Sequence, residues 1–202
     1  MSAGGSDARG WVRHVPNVVS AARIAATPLL LYFALQGHES AFTWLLVPAL
    51  LSDIVDGWIA RALQLQSKLG ALLDSIGDAL LLLTSVVGVW IFHPEVVTEH
   101  RAWCYTLIFA WLAEAALAFV RYGRLSSFHT YVSKVAGYLL GIFVGVLFVF
   151  GFQPWLLYVA VATSVLGNLE EMVLLRLLPE WRADVRGVYW VLRERSRETA
   201  SS

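Results

Sequence analysis

The segment Ser52–Asp78, "SDIVDGWIARALQLQSKLGALLDSIGD", places four aspartates in the middle of an apolar chain. Asp53 and Asp56 are three positions apart, and Asp74 and Asp78 are four apart, so each pair falls on one face of a helix. The stretch "RALQLQSKLG" between the pairs is polar enough to form a turn. The segment therefore predicts a helical hairpin in which each helix carries two carboxylates.

Folding the hairpin about its centre brings the four carboxylates to one depth. The midpoint of positions 53 and 78 is 65.5, and the midpoint of positions 56 and 74 is 65. An antiparallel pair of helices then sets Asp53 opposite Asp78 and Asp56 opposite Asp74. At ~1.5 Å per residue, the carboxylates lie about 14–19 Å from the turn. We expect them to line one cavity between the two helices, below the membrane surface.

The composition is that of a membrane protein. Of 202 residues, 58% are hydrophobic and 15% are charged, whereas soluble domains carry roughly 25% charged residues. Six apolar stretches approach the ~20 residues that a membrane span requires. They cover residues 21–36, 42–63, 70–92, 103–121, 132–151 and 154–178. We predict an all-α integral membrane protein with six transmembrane helices, forming a single membrane domain over residues 1–202 with its core at 21–178.

Charge and cysteine content exclude other classes. The formal net charge is zero, so no basic field favours nucleic acid as a partner. The single cysteine, Cys104, excludes an internal disulfide and a thiolate metal cluster. The lipid bilayer is therefore the expected surrounding, with no nucleic acid bound.

The positions of the basic residues predict the orientation in the membrane. All Lys and Arg residues except Arg101 fall on one side of the six predicted spans, and such residues concentrate on the cytoplasmic side. Both termini and the aspartate hairpin are thus predicted to be cytoplasmic. Residues 8–19, "ARGWVRHVPNVV", mix apolar and basic residues and predict a short amphipathic surface helix. The basic cytoplasmic tail, 179–202, begins with a helix-breaking Pro179. Its sequence is equally consistent with anchoring at the membrane interface and with a polar segment in water.

Four carboxylates inside a membrane need compensation. One Asp at the centre of a span costs ~2.5–3.5 kcal/mol, and repulsion between like charges adds to that cost. Hard oxygen ligands suit Mg²⁺ or Mn²⁺, and shared carboxylates bridge two ions in two-metal sites. Pairing with Arg23, Arg61 or Lys68 is the structural alternative, but these bases are too few to neutralise the cluster. The aspartates therefore predict a site for two divalent cations.

The fixed residues of this segment also follow a known order. The pattern D-x2-D-G-x2-A-R-x8-G-x3-D-x3-D falls on Asp53, Asp56, Gly57, Ala60, Arg61, Gly70, Asp74 and Asp78. This order resembles the signature of the CDP-alcohol phosphotransferases (phosphatidyltransferases). The N-terminal "VPNVVSAARI" and the six-span layout extend the resemblance over most of the chain. The resemblance implies transfer of a substituted phosphate from a CDP-linked donor to an alcohol with release of CMP. Bacterial members that make lipids use CDP-diacylglycerol.

The resemblance also implies roles for single residues. Asp53, Asp56 and Asp74 would bind metal, and Asp78 would bind metal or act as the general base. Gly57, Ala60 and Gly70 would make room for the cytidine. Arg61 and Ser67 would lie near the diphosphate. Asn17 is predicted either to contact the nucleotide or to cap a helix. A homodimer in a bacterial inner membrane is the implied assembly.

The alcohol acceptor is expected to bind at the connection between the fourth and fifth spans. The segment "RYGRLSSFHTYVSK" offers five candidate residues on the cytoplasmic side: Arg121, Arg124, His129, Ser133 and Lys134. Their cations suit a phosphorylated alcohol, although positive-inside topology alone also explains them. Family members that use glycerol phosphate tend to carry a Gly-Lys-x-Lys-Thr-like stretch where this chain reads "HTYVSKVAG". sn-Glycerol 3-phosphate ranks first because of the three bases, and inositol phosphate, phosphatidylglycerol, serine or another alcohol stay open.

Two other functions compete with this interpretation. An intramembrane prenyltransferase also binds a diphosphate through aspartate-held Mg²⁺, but it would carry its aspartates on non-adjacent helices. In a divalent-cation transporter, polar residues would extend across the bilayer. The segment "ALLLLTSVVGVWIF" after Asp78 is instead almost entirely apolar. Glu114, Glu170 and Glu171 lie within predicted spans, and we interpret them as structural or pocket-edge groups.

Overall fold

A computed structural model of the chain describes residues 15–63, 68–123, 130–178 and 185–201, of which 15–19, 53–63, 68–75, 195 and 197–201 are described by their backbone alone. The described residues form helices and no strands. The helices are α1 (Val15–Leu35), α2 (Glu39–Leu63), α3 (Lys68–Phe92), α4 (Pro94–Glu99), α5 (Arg101–Tyr122), α6 (Tyr131–Phe150), α7 (Pro154–Leu177) and α8 (Val188–Ser201). The all-α prediction is confirmed for this part of the chain.

Three of these helices are long and apolar enough to cross a membrane, namely α5, α6 and α7. Shorter apolar segments, Ser20–Leu35, Glu39–Ser52 and Ile76–Phe92, lie within α1, α2 and α3. Large apolar side chains on the outer faces of α5 and α6 are exposed, as expected for helices surrounded by lipid. The protein is thus a membrane protein, while the count of six spans stays a prediction.

The predicted surface helix at the N-terminus is not confirmed. Residues 8–14 lie outside the described residues, and 15–19 form the first turns of α1. The helices group into two compact units, Met1–Val97 and Thr98–Ser202. Each unit is described by itself, and the single domain over 1–202 stays a prediction.

In the first unit, α1 packs against both α2 and α3. Phe42 of α2 is fully buried, and its ring centroid lies 5.5 Å from that of Phe92. A Cβ on Gly88 would lie 2.3 Å from Cζ of Phe42. Because interiors are close-packed, the missing side chain of Gly88 is what lets this ring lie against α3.

In the second unit, α7 packs against α5 and α6. Gly123 ends α5 in the left-handed region (φ 66°), and its N–H donates to the Phe119 carbonyl at 2.8 Å. Thr130 caps α6 by accepting a hydrogen bond from the Ser133 N–H at 3.2 Å. Turn and cap residues thus fix where the polar connection between α5 and α6 begins and ends.

Candidate functional site

The four aspartates fall on two neighbouring helices of the first unit. Asp53 and Asp56 lie in α2, and Asp74 and Asp78 lie in α3. The two helices contact one another, as the predicted hairpin requires. The turn residues 64–67 lie outside the described part of the chain. Asp78 is the one of the four whose side chain is described, so the meeting of all four carboxylates stays a prediction.

Asp78 is held by an arginine from α1. Nη1 of Arg23 donates to Oδ1 of Asp78 at 2.6 Å. The side chain of Arg23 is 0% exposed, whereas that of Asp78 is 46% exposed. A charge-assisted hydrogen bond of this length is a strong one. The buried guanidinium therefore fixes one oxygen of a carboxylate that still reaches the surface of the unit.

The backbone of α3 is shaped for this contact. A Cβ on Gly77 would lie 3.5 Å from Cδ of Arg23 and 3.7 Å from the Ser20 carbonyl oxygen. The arginine stem thus crosses α3 at the residue directly before Asp78. On α1, the Thr27 hydroxyl donates to the Arg23 carbonyl at 3.1 Å, one turn further along. The close approach at Gly77 therefore contributes to placing the guanidinium.

The pairing has a chemical consequence for Asp78. A buried guanidinium without a counter-charge would be strongly destabilising, and Asp78 supplies that charge. A carboxylate accepts about four hydrogen bonds through two oxygens. Asp78 is therefore chemically able to accept a proton or contribute to a cation site while Oδ1 bonds to Arg23. Arg23, Arg61 and Lys68 were the predicted partners of the aspartates. Among the described side chains, the ion pair with Asp78 is formed by Arg23.

The other predicted donor-site residues are placed by backbone alone or lie outside the described residues. Asn17 lies in the first turn of α1, and Gly57, Ala60 and Arg61 lie in α2. Gly70 lies in the first turn of α3. Ser67 lies outside the described residues. Their predicted contacts with a CDP donor stay predictions.

In the second unit, Arg121 of the predicted acceptor segment forms contacts within the protein. Its Nη2 donates to the Leu178 carbonyl at 3.1 Å, and the Tyr122 hydroxyl donates to the same oxygen at 2.8 Å. Leu178 directly follows α7, whose last carbonyls have no partner within the helix. The guanidinium carbon also lies 5.7 Å from the Tyr122 ring centroid. Arg121 therefore has a structural role, and its acceptor-binding role stays a prediction.

Ser133 forms the polar contact between α6 and α7. Its hydroxyl donates to Oε1 of Glu171 at 2.5 Å and lies 3.0 Å from the Thr130 hydroxyl. A Cβ on Gly167 would lie 3.3 Å from the Ser133 Cα, so the two helices approach closely here. The sequence predicts Glu171 only as a structural or pocket-edge group. The structure instead places its carboxylate on a predicted acceptor residue.

The remaining acceptor candidates and acidic groups have simpler outcomes. Lys134 is exposed in the first turn of α6, whereas Arg124 and His129 lie outside the described residues. Glu114 of α5 is 6% exposed. Among the described side chains, no group of three or more His, Cys, Asp or Glu residues has a geometry that holds a metal ion. Three of the four aspartates are not in that set, so the predicted metal site is untested.

Comparison with known proteins adds an independent finding. A family model described as CDP-alcohol phosphatidyltransferase matches residues 13–166. This region contains the four aspartates and the segment from Arg121 to Lys134. No solved structure gives a significant match to the chain.

Similar curated proteins carry three different names. "CDP-diacylglycerol--inositol 3-phosphatidyltransferase" of Saccharomyces cerevisiae is 33% identical, with 45% of this chain and 38% of the relative covered. "CDP-diacylglycerol--glycerol-3-phosphate 3-phosphatidyltransferase" of Aquifex aeolicus is 32% identical, over 41% and 46%. "Cardiolipin synthase (CMP-forming)" of Streptomyces coelicolor is 42% identical, over 37% and 38%. The chain thus spans less than half the length of each of these relatives.

Proposed function

The chain belongs to the CDP-alcohol phosphatidyltransferase family, and we propose that it transfers a phosphatidyl group from CDP-diacylglycerol to an alcohol and releases CMP. One observation carries this proposal. The full order of aspartates, glycines, alanine and arginine from Asp53 to Asp78 lies within the matched region, on two contacting helices of a membrane protein. A membrane site suits a donor whose acyl chains stay in lipid while its nucleotide reaches water.

The metal would be held by the four aspartates, two from α2 and two from α3. Their hard oxygens suit Mg²⁺ or Mn²⁺, and shared carboxylates suit two ions. When bound, such cations neutralise the diphosphate and stabilise the charge that develops on departing CMP. The protein's part is to place Asp53, Asp56, Asp74 and Asp78 at one depth, as the register of the hairpin favours.

Asp78 is proposed as the general base. The acceptor hydroxyl oxygen forms a bond to the phosphorus that carries diacylglycerol, and the bond from that phosphorus to the CMP oxygen breaks. The hydroxyl proton passes to Asp78, which is positioned through its hydrogen bond to Arg23. The transfer is a single in-line displacement and needs no protein nucleophile.

The donor would be bound by residues that flank the aspartates. Gly57, Ala60 and Gly70 carry small side chains or none, which leaves space for the flat cytidine near the backbone. Arg61 and Ser67 would contact the diphosphate, and Asn17 the nucleotide. The positions of these residues in the family pattern support the assignment.

The acceptor is proposed to be sn-glycerol 3-phosphate, with Arg121, Arg124, His129, Ser133 and Lys134 contributing to its recognition. The Aquifex aeolicus relative is named for this acceptor. Inositol phosphate and phosphatidylglycerol are the alternatives. The yeast relative is named for inositol, and the Streptomyces coelicolor relative is named as a CMP-forming cardiolipin synthase. A homodimer with both termini and the active site in the cytoplasm, in a bacterial inner membrane, completes the proposal. The one-sided distribution of Lys and Arg supports its orientation.

Release of CMP by the purified chain tests the proposal. Protein in detergent would receive CDP-diacylglycerol, Mg²⁺ or Mn²⁺, and one acceptor at a time from a panel of sn-glycerol 3-phosphate, inositol phosphate, phosphatidylglycerol and serine. We expect CMP with one acceptor, loss of turnover in Asp78→Asn, and retained turnover in the exposed-acid control Glu99→Gln. Absence of CMP with every acceptor overturns the proposal, and near-normal turnover in Asp78→Asn overturns the role of that residue.

A further inference from the structure

The C-terminal helix α8 has no part in the proposed reaction, yet it is firmly attached to the second unit. It packs against α7. Val185 and Val191 join a buried apolar cluster that is built from the ends of α5 and α7: Ala118, Leu174, Leu175 and Leu178. Helix α8 is therefore held at the level where two membrane-crossing helices end.

Two hydrogen bonds fix the start of α8. The Val188 N–H donates to Oε1 of Glu170 at 3.1 Å, which places a carboxylate on the positive end of the helix dipole. The Tyr131 N–H donates to the Arg186 carbonyl at 3.3 Å. Gly187 lies in the left-handed region (φ 148°), and a Cβ there would lie 2.6 Å from Oε1 of Glu170. The chain between these two bonds is thus shaped to bring α8 back onto the ends of α6 and α7.

An aromatic group marks the same level of the unit. The Trp190 ring centroid lies 5.4 Å from that of Tyr131 and 5.5 Å from that of Tyr189. All three side chains are exposed, although they lie next to the first turn of α6. Tyr and Trp concentrate at membrane–water interfaces, where an apolar ring and a polar tip are both accommodated.

The charge of this segment complements an anionic surface. Four arginines and one glutamate lie between Arg186 and Arg197. Tyr189 and Leu192 are three residues apart and exposed, so they share one face of α8. Glu194 is also exposed. It is two residues after Leu192, which corresponds to a rotation of about 200° around the helix axis, so it lies on nearly the opposite face. An apolar face beside basic side chains is typical of helices that lie in the headgroup region of a membrane.

We propose that α8 is a surface helix that lies on the anionic phospholipid headgroups of the membrane in which α5, α6 and α7 are embedded. Tyr189 and Leu192 face the lipid, and Glu194 faces water. The attachment through Glu170 and Tyr131 holds the start of the helix at the level of the headgroups. The lipid surface is therefore the partner within reach, and the arginines select its anionic components.

Two labelled variants test the orientation of α8. Cys104 is the single cysteine, so the full chain would carry Cys104→Ser together with Leu192→Cys or Glu194→Cys, labelled with an environment-sensitive fluorophore. Each protein would be reconstituted in vesicles of phosphatidylcholine with phosphatidylglycerol. We expect severalfold weaker quenching by aqueous iodide, and stronger quenching by brominated lipid, at position 192 than at position 194. Equal iodide quenching at both positions in these vesicles, which contain no other protein, overturns the proposal and favours a protein as the occupant of this face.

The selection of anionic lipid has its own test. In vesicles of phosphatidylcholine alone, the label at position 192 should become severalfold more accessible to iodide. Replacing Arg193, Arg195 and Arg197 with glutamine should have the same effect in the mixed vesicles, while Gly187→Ala should expose the label at position 192. If iodide quenching at position 192 changes neither with lipid charge nor with loss of the arginines, the proposed selection of anionic lipid is overturned. These readouts do not use CMP release, so they stand apart from the proposed function.

Discussion

Arg23→Met keeps a long side chain between α1 and α3 but removes the guanidinium that holds Asp78. A hydrogen bond to a charged group is worth ~1.5–3 kcal/mol. Because Asp78 is 46% exposed, water screens part of this interaction, and we take about 1–2 kcal/mol. At ~1.36 kcal/mol for each factor of ten in rate, loss of this positioning should lower kcat about 5- to 30-fold. The KM for the CDP donor should change little.

The fold should survive this substitution. Removing one partner of a buried ion pair is destabilising when the charge left behind is buried, but the charge left here is Asp78, whose side chain is 46% exposed and can be solvated. Thermal unfolding in detergent should therefore stay close to that of the wild type, while CMP release falls. Arg101→Met, at an exposed arginine on the opposite predicted side, is the matched control and should keep its turnover.

A double-mutant cycle shows whether Arg23 acts through Asp78. If it does, Arg23→Met should add little further loss to Asp78→Asn, because residues in one contact are not additive. Arg23→Lys should restore part of the rate, since an ammonium keeps the charge but not the planar geometry. Wild-type kcat in Arg23→Met, or two fully additive losses, would refute the reasoning.

Three further outcomes follow from the same structure. Gly88→Ala places a methyl group against the Phe42 ring, so it should lower the free energy of unfolding by about 1–3 kcal/mol in thermal or denaturant unfolding. The control Gly137→Ala, where the added Cβ meets nothing within 4 Å, should leave the free energy of unfolding unchanged. Equal loss of stability in both variants would contradict the packing argument. Ser133→Ala removes the bond to Glu171 and should raise the KM for the acceptor more than the KM for CDP-diacylglycerol; an unchanged acceptor KM would separate Ser133 from the site. Chelation by EDTA should abolish CMP release and added Mg²⁺ or Mn²⁺ should restore it, whereas turnover that persists in excess chelator would exclude metal dependence.

The helix boundaries follow closely from the sequence. The predicted spans 42–63 and 70–92 correspond to Glu39–Leu63 and Lys68–Phe92, and 132–151 corresponds to Tyr131–Phe150. Agreement is good because polar connections interrupt long apolar runs, and a helix satisfies its own backbone hydrogen bonds. These are local properties, which sequence alone determines well.

Contacts between distant residues were harder to predict. Arg23 and Asp78 are 55 residues apart, and sequence named Arg23 only as one of three possible partners. Arg121 was predicted to bind an anion because of its charge, yet it donates to the Leu178 carbonyl. A long flexible arginine can reach several acceptors, so its choice depends on the packing of neighbouring helices rather than on local pattern. Packing of distant residues also determines where the C-terminal segment lies, since Val185 and Val191 join an apolar cluster with residues of α5 and α7.

The choice of acceptor is expected to depend on residues outside the aspartate segment. Two relatives with similar identity to this chain are named for different acceptors, inositol and glycerol 3-phosphate, so resemblance to the family does not by itself identify the acceptor of this chain. In the segment predicted to bind the acceptor, the carboxylate of Glu171 lies 2.5 Å from the Ser133 hydroxyl. A carboxylate there offsets nearby positive charge and accepts hydrogen bonds from hydroxyl groups. Acceptor recognition at this point would therefore rest on the balance between Glu171 and the cations of the segment, rather than on the number of basic residues alone.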